Sequence, residues 1–293
     1  MPQSLILNLV PEASIPQQHL NGAHLHHLFL NLVSSVDPQL GRVLAVDSQN
    51  HSFSLSPLQV APRVGFSASM PNLRFLFPRW GVPLRPLQYR YQSEIPAGAS
   101  CWWRISLLDD GLFGHLSRAW QKVALQQPWF LGSTPLHITG LCDRAHRNPD
   151  WARVSSYQQL YEQASDQTRD IRLQFLTPAT FGHGGYESPL PTRDAVFHCL
   201  RKRWNRHSGL AFAPSLIEPI MPVGFDIQTE VLQDTETKIV GCLGQITFRI
   251  VGDVDALTIK RINTVADYTL FCGIGHQTTL GMGIVRRIQV KAS

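Results

Sequence analysis

Two successive rounds of the same predicted element order constrain the fold of this chain more than any other feature. In each half of the 293 residues, strand and helix patterns follow the order strand–helix–strand–strand–helix–strand. That order is the split βαβ arrangement of a ferredoxin-like domain. We therefore predict an α+β protein made of two tandem ferredoxin-like (RRM-like, βαββαβ) domains.

The individual patterns place these elements along the chain. Helices are indicated by apolar residues at a spacing near 3.6, and strands by alternation or by short apolar runs. The pattern breaks at residues 126–134, which predicts a first domain over residues 1–130 and a second over residues 131–293. The predicted segments are strands at 4–10, 51–58, 101–108, 135–141, 171–181, 222–232, 238–251 and 284–290, and helices at 25–36, 112–125, 193–207 and 254–271.

The charged residues point to a polyanionic partner. The formal net charge is +5, and the basic residues are 21 arginines against only 5 lysines. The arginine guanidinium is planar, binds phosphate with two parallel donors and stacks on bases. Residues 48–93 contain five arginines among seven aromatic residues and no carboxylate, and residues 268–293 are also free of acids. This mixture is typical of a nucleic-acid surface, although aromatic core residues beside a soluble basic face would give the same composition.

Composition also indicates the cellular compartment of the protein. At 43% hydrophobic residues the chain can bury a core, but no apolar run approaches the roughly 20 residues that span a bilayer. The N-terminal segment SLILNLV is too short, and lacks the basic flank, for a secretory signal. Five widely spaced cysteines contain no CxxC pair, which favours a reduced protein without disulfides or a zinc knuckle. We therefore expect a cytoplasmic protein.

A glycine-rich segment, GIGHQTTLGMG at residues 273–283, separates the last predicted helix from the last predicted strand. It is not a phosphate-binding P-loop, because GxxxxGK[ST] is absent and the segment leads into a strand. The dinucleotide-binding fingerprint is excluded as well, since that motif must follow a strand. So many glycines indicate either a tight connection or a surface that something approaches closely.

This segment and several others resemble one known family, the CRISPR-associated repeat RNA-processing endoribonucleases of the repeat-associated RNA-binding (RAMP) superfamily. The family's C-terminal signature GxGxxTtlGmG is similar to the segment at 273–283, which is followed by the basic strand IVRRIQV. Further resemblance lies in residues 175–205, in GCLGQITFRI (241–250), in LHHLFLNLVSSVDPQL (25–40) and in FSLSPL (53–58).

The resemblance implies a protein that binds CRISPR repeat RNA, often as a short hairpin, and cuts it once. In the family the 2′-hydroxyl attacks the adjacent phosphate, which leaves a cyclic phosphate and a 5′-hydroxyl, and neither metal nor cofactor takes part. Because glycine has no Cβ, RNA phosphates could then approach the backbone N–H groups of this segment closely. The RNA-binding residues expected on this basis are Gly273, Gly275, His276, Gln277, Thr278, Thr279, Gly281, Gly283, Arg286 and Arg287. The basic residues of the predicted helix at 193–207 are expected to position the phosphates of the repeat stem, although an ordinary solvated basic face would have the same composition; they are Arg193, Arg201, Lys202, Arg203 and Arg206.

The cleavage chemistry requires a base near the 2′-hydroxyl and an acid near the 5′-oxygen, for which histidine is suited. Family members carry a histidine at the end of a pattern like DPxLxxxLH, but here DPQLGRVLA ends in Ala45. The histidines nearby that could replace it are His51, His26 and His27. Without a catalytic role, His26 would be a partly buried residue at the edge of the apolar face of the helix, and His27 would be an ordinary solvated residue. Because no carboxylate or cysteine accompanies these histidines at ligand spacing, we predict no metal site.

Two other hypotheses remain open from the sequence. Because Ala45 stands where the family carries a histidine, one hypothesis is a subunit that has lost cleavage and only holds the repeat hairpin within a CRISPR interference complex. A general RNA-binding protein unconnected with CRISPR would also carry the same arginines and aromatic residues.

Overall fold

The computed structural model describes residues 1–46, 52–61, 85–109, 128–142, 151–233 and 238–288. Two antiparallel sheets make up this part of the chain, and each has a long helix packed on it. The helix predicted at residues 112–125 lies outside the described residues.

The first sheet is formed by the N-terminal part of the chain. Its elements are β1 (Gln3–Pro11), α1 (Gly22–Val36), α2 (Pro38–Val46), β2 (Phe53–Leu55), β3 (Gln59–Val60), β4 (Cys101–Leu107), β5 (Trp129–Leu131), β6 (Thr134–Cys142) and β7 (Arg153–Val154). The strands follow the order β2–β4–β1–β6–β5, with β3 pairing to β4 and β7 to β1. The core order β2–β4–β1–β6 is that of a ferredoxin-like unit, as predicted.

Helix α1 covers the first sheet with one apolar face. It begins where the side chain of Asn21 accepts a hydrogen bond from the His24 backbone N–H at 3.0 Å, which satisfies one of the open donors of the first turn. It ends before Asp37, whose carboxylate accepts from the first N–H groups of α2, so the predicted end of this helix is confirmed. Its buried residues are Leu25, Leu28, Phe29, Leu32 and Val33.

The second sheet repeats the arrangement. Its elements are α3 (Tyr157–Gln163), β8 (Asp170–Ala179), β9 (Phe181–His183), β10 (Tyr186–Ser188), α4 (Arg193–His207), β11 (Ile220–Gln233), β12 (Lys238–Ile250), α5 (Ala256–Asp267), α6 (Thr269–Cys272) and β13 (Val285–Ile288). The order β11–β12–β8–β13 is again ferredoxin-like, and β9 and β10 form a separate hairpin. Thr192 caps the start of α4 and Asp255 that of α5.

Strand pairing bears on the domain boundary expected at residue 130. Strand β6 pairs with β1 from Ile6 to Pro11, and β7 pairs with the start of β1, so both continue the first sheet. Helix α3 instead packs Tyr157 against Trp204 of α4, with ring centroids 5.3 Å apart. We therefore propose that the boundary lies between residues 154 and 157.

The two domains contact each other directly. The backbone N–H of Leu87 donates to Leu176 O at 2.8 Å, and the Tyr157 hydroxyl donates to Leu108 O at 2.7 Å. A small buried cluster joins both sheets, formed by Ile6, Trp151, Ala152, Leu176 and Ile284. No helix in the described ranges is both long and apolar enough to cross a membrane.

Candidate functional site

The glycine loop, defined here as residues 273–283, connects α6 to β13 and contacts the first domain. Its middle forms a short 3-10 helix at Thr278–Leu280. A Cβ built on Gly22, in the first turn of α1, would lie 2.1 Å from Leu280 O, and one on Gly281 would lie 3.2 Å from Pro57 N. The loop of the second domain is therefore wedged between α1 and the segment that follows β2.

The structure shows that the glycines of this loop are required by packing within the protein. A Cβ on Gly283 would lie 1.9 Å from Ile274 O, and one on Gly275 would lie 2.4 Å from Thr180 O. Gly273, Gly275 and Gly283 all have positive φ, at 63°, 84° and 63°, which favours glycine. All are buried. The expectation that these glycines are bare in order to admit RNA is wrong, because protein backbone fills the space.

The loop exposes only a few of its predicted RNA-binding residues. His276 is exposed and its Nδ1 lies 3.1 Å from the Glu187 carboxylate on the β9–β10 hairpin. Gln277 and Thr279 are partly exposed, whereas Thr278 is 1% exposed. Gln277 has a φ of 53°, a left-handed conformation that is strained for a residue with a side chain. The side chains within reach of a ligand are therefore those of His276, Gln277 and Thr279.

A cleft of about 410 Å³ runs between the glycine loop and the start of α1. Arg90 spans it, because its Nη1 donates to Val231 O at the end of β11 at 3.0 Å. Arg90 belongs to the stretch of arginines and aromatic residues noted in the sequence. The cleft is lined by Gly22, Ala23, Tyr89, Arg90, Gln277 and Leu280, among others.

Two of the predicted catalytic histidines lie on α1, one helical turn beyond Gly22 and Ala23, which line this cleft. His26 and His27 follow Gly22 and Ala23 by four residues, so each lies one turn along the same face of α1. His26 is half-buried, with its ring centroid 5.7 Å from that of Phe53 on β2, and His27 is exposed. His51, the third predicted histidine, lies outside the described residues.

The environment of His26 favours its neutral form. Burial lowers the pKa of His26 below its usual 6.5, and the neighbouring His27 lowers it further. A neutral imidazole has an unprotonated ring nitrogen at neutral pH, which is what a proton acceptor needs. Burial also lowers the pKa of His24, with contributions from His19 and His27, while its Nδ1 lies 3.0 Å from the Asn21 side-chain oxygen.

Arg203 does not lie on an RNA-accessible surface, and this corrects the prediction. Its side chain points inward from α4 and is 5% exposed. The guanidinium donates to the carbonyl oxygens of Cys272, Gly273 and Gly275. Arg203 therefore supports the glycine loop from within the protein.

Arg287 is a second correction. Its side chain is 9% exposed and forms an ion pair with Asp267 at 2.9 Å, and it also donates to the Asn263 side chain. Because β13 presents alternate residues to opposite faces, Arg287 points toward α5 and Arg286 points away. Arg286 is partly exposed.

The remaining basic residues of α4 differ in availability. Arg193 lies 3.2 Å from the Asp194 carboxylate, and Arg201 donates to Phe212 O at 3.0 Å. Lys202 and Arg206 are exposed and stand one turn apart on the same face. This pair is what the structure retains of the predicted basic surface on α4.

Sequence reasoning missed Arg104 and Ser54 in the first domain. Both are buried, and both donate hydrogen bonds to carbonyl oxygens of α6, at Leu270 and Phe271. The one signal in the sequence is an arginine inside the apolar strand CWWRISLL. Such an arginine must find buried acceptors, but the sequence does not say where they lie.

Two ferredoxin-like domains that share a glycine-rich loop have the fold of RAMP proteins. One similar structure is described as a RAMP protein binding different RNA substrates, with a TM-score of 0.56 and 13% identity over 98% of this chain and 100% of that chain. Residues 1–162 match the family model of the CRISPR Cas6 N-terminal domain, and residues 173–285 match that of the CRISPR-associated endoribonuclease Cas6. The chain belongs to the Cas6 family.

Solved Cas6 structures share the whole fold. A Cas6 (TTHB231) product complex matches with a TM-score of 0.73 and 23% identity, covering 98% of this chain and 100% of that chain. The Thermus thermophilus Cas6 (TTHB231) matches with a TM-score of 0.67 and 22% identity, with 98% of both chains covered. No curated protein sequence matches this chain. At these identities the similarity supports the tandem ferredoxin-like fold.

Proposed function

We propose that this chain processes CRISPR repeat RNA by cutting each repeat of a precursor transcript once. The observation that carries the proposal is the position of His26 on α1, one helical turn from Gly22, which lines the cleft between α1 and the glycine loop, in a member of the Cas6 endoribonuclease family. The RNA-binding role is supported by the exposed loop residues, by Arg90 across the cleft, and by Lys202 and Arg206 on α4.

The proposed reaction is a metal-independent transesterification. The 2′-hydroxyl of the nucleotide before the cut attacks the adjacent phosphorus, and the 5′-oxygen of the next nucleotide leaves. The products are a 2′,3′-cyclic phosphate and a 5′-hydroxyl. His26 accepts the proton of the 2′-hydroxyl, because its lowered pKa leaves the imidazole neutral. A second histidine, His27 or His51, donates the proton to the leaving 5′-oxygen.

Replacing His26 tests this role. His26→Ala should slow single-turnover cleavage of the cognate repeat RNA by about 10²–10⁴-fold, the usual loss for a general base or acid, with little change in RNA affinity. His27→Ala and His51→Ala distinguish the two candidate acids, since only the acid should lower the rate comparably. The measurement is a gel time course in EDTA with assignment of the product termini.

His137→Ala is the matched control, because His137 is an exposed histidine on β6 that pairs with Glu12. Wild-type cleavage by the His26→Ala variant would remove His26 from the site. Binding of repeat RNA by the wild-type protein with no product between pH 6 and 9 would favour the non-cleaving hairpin-binding subunit of an interference complex instead.

A further inference from the structure

The end of α6 is held by side chains from both domains. Helix α6 leads into the glycine loop, and its last carbonyl oxygens have no partner within the helix. Among the described residues, the carbonyl oxygens of 270, 271, 272, 273 and 275 accept hydrogen bonds from the side chains of Arg104, Ser54 and Arg203, and Cys272 Sγ adds a local bond to Gly273 O.

Arg203 contributes from the second domain. Its Nη1 donates to Cys272 O at 2.5 Å and to Gly273 O at 3.0 Å, and its Nη2 donates to Gly275 O at 2.6 Å. The two nitrogens of one planar guanidinium thus hold three carbonyl oxygens, one at the end of α6 and two in the first part of the glycine loop. A lysine could not make the same set of hydrogen bonds, because its ammonium group is a single nitrogen and lacks the rigid, planar arrangement of donors of a guanidinium.

Arg104 and Ser54 contribute from the first domain. Arg104, on β4, is 1% exposed, and its Nη2 donates to Leu270 O and to Ser106 Oγ, while its Nε donates to Ser4 Oγ at 2.8 Å. Ser54, on β2, donates from its Oγ to Phe271 O at 2.8 Å. The sheet of one domain therefore binds the helix end from which the loop of the other domain starts.

Burying two guanidinium groups without a carboxylate partner in the described residues is costly. The cost is offset by the partial negative charge at the C-terminal end of a helix, to which both are directed. Burial lowers the pKa of Arg104 to about 10, so the group stays charged at neutral pH. A purely structural contact between two domains could be made by apolar side chains, whereas these cations fix the loop backbone.

We propose that Arg203, Arg104 and Ser54 are positioning residues that hold the glycine loop against α1, at the distance from His26 that cleavage requires. The proposal rests on the proposed function. The three side chains do not touch RNA; they set where the exposed loop residues His276, Gln277 and Thr279 stand relative to the catalytic helix. Their loss should therefore reduce the cleavage rate more than the RNA affinity.

The experiment uses Arg203→Lys, Arg104→Lys and Ser54→Ala in the full chain. Single-turnover cleavage of repeat RNA should fall about 10–100-fold, because a displacement near 1 Å can cost about 10² in rate. The dissociation constant, measured in a His26→Ala background to prevent cleavage, should change by less than about threefold. Arg169→Lys is the matched control, since the Arg169 guanidinium also donates to two backbone carbonyl oxygens, those of Ile250 at 3.3 Å and Gly252 at 3.0 Å, away from the glycine loop; it should leave the rate unchanged.

A second measurement does not depend on activity. Hydrogen exchange of the amides of Ile274, His276 and Gly283, which are bonded within and around the loop, should be faster in Ser54→Ala and Arg104→Lys than in wild type. Unchanged exchange together with an unchanged rate would overturn the inference, as would a rate that falls only in proportion to affinity. If the wild type binds but does not cleave, the proposed function fails, and the exchange data alone decide whether these residues hold the loop.

Discussion

Arg203 carries the same charge as its helical neighbours Lys202 and Arg206, yet its surroundings are opposite to theirs. It is buried against the glycine loop, while the other two are exposed. The difference follows from helix geometry, because neighbouring positions are about 100° apart around the axis. At the residue scale, then, the side chain's direction decides whether a cation is exposed to a ligand or bound within the protein.

The histidines of α1 provide a pH-dependent prediction at the same scale. Because the pKa of His26 is lowered in the folded protein, the unfolded chain binds more protons as pH falls through about 6.5. The free energy of unfolding should therefore decrease below that pH and reach its full value above it. Urea titrations between pH 5 and 7.5 measure this dependence.

His26→Gln should weaken this pH dependence, since glutamine does not titrate, while the lowered pKa of His24 leaves part of it in place. Equal slopes in the His26→Gln variant and the wild type would contradict the environment assigned to His26.

At the scale of elements, α4 has two functions on two faces. Its inward face packs Phe197, Leu200 and Trp204 into the second core and directs Arg203 to the glycine loop. Its outward face presents Lys202 and Arg206. The basic residues of this helix predict a phosphate-binding surface, but the fold directs three of them, Arg193, Arg201 and Arg203, to hydrogen bonds within the protein.

Charge reversal of the outward pair tests the role of this face. Lys202→Glu/Arg206→Glu should weaken repeat RNA binding and reduce the slope of log affinity against log salt by about two, roughly one for each lost phosphate contact. Salt titrations of binding by fluorescence anisotropy provide the slope. The double variant Arg153→Glu/Arg249→Glu is the control, because it changes the net charge by the same amount at exposed positions on β7 and β12. A slope that falls equally in both variants would show that the effect is one of net charge.

At the scale of the whole molecule, the domains are joined by the glycine loop, which also lines the cleft beside α1. The first domain binds α6 through Arg104 and Ser54, and the loop that follows packs back on Gly22 and Pro57. Strand β6 extends the first sheet beyond residue 130. The boundary proposed here, between residues 154 and 157, lies later in the chain than a break in the sequence pattern predicts.

Linker insertion tests that boundary in the intact chain. Six residues of glycine and serine inserted between residues 130 and 131 interrupt β5 and should lower the thermal unfolding midpoint by several degrees. The same insertion between residues 155 and 156, beyond the last paired strand, should cost little, since connections between domains tolerate added length. Differential scanning calorimetry gives both midpoints. Equal losses at the two sites would argue against the proposed boundary.

The sequence alone determined the fold class, the doubled βαββαβ order and the family, because strand and helix periods and the glycine signature are local and survive without a structure. Helix α1 and its end at Asp37 were predicted for the same reason. Only the tertiary structure decided that Gly273, Gly275 and Gly283 make room for protein, that Arg203 and Arg287 point inward, and that Arg104 reaches the other domain. These features depend on contacts between residues that lie from 9 positions apart, for Gly283 and Ile274, to 166 positions apart, for Arg104 and Leu270. No local sequence pattern shows which part of the backbone a buried side chain will contact.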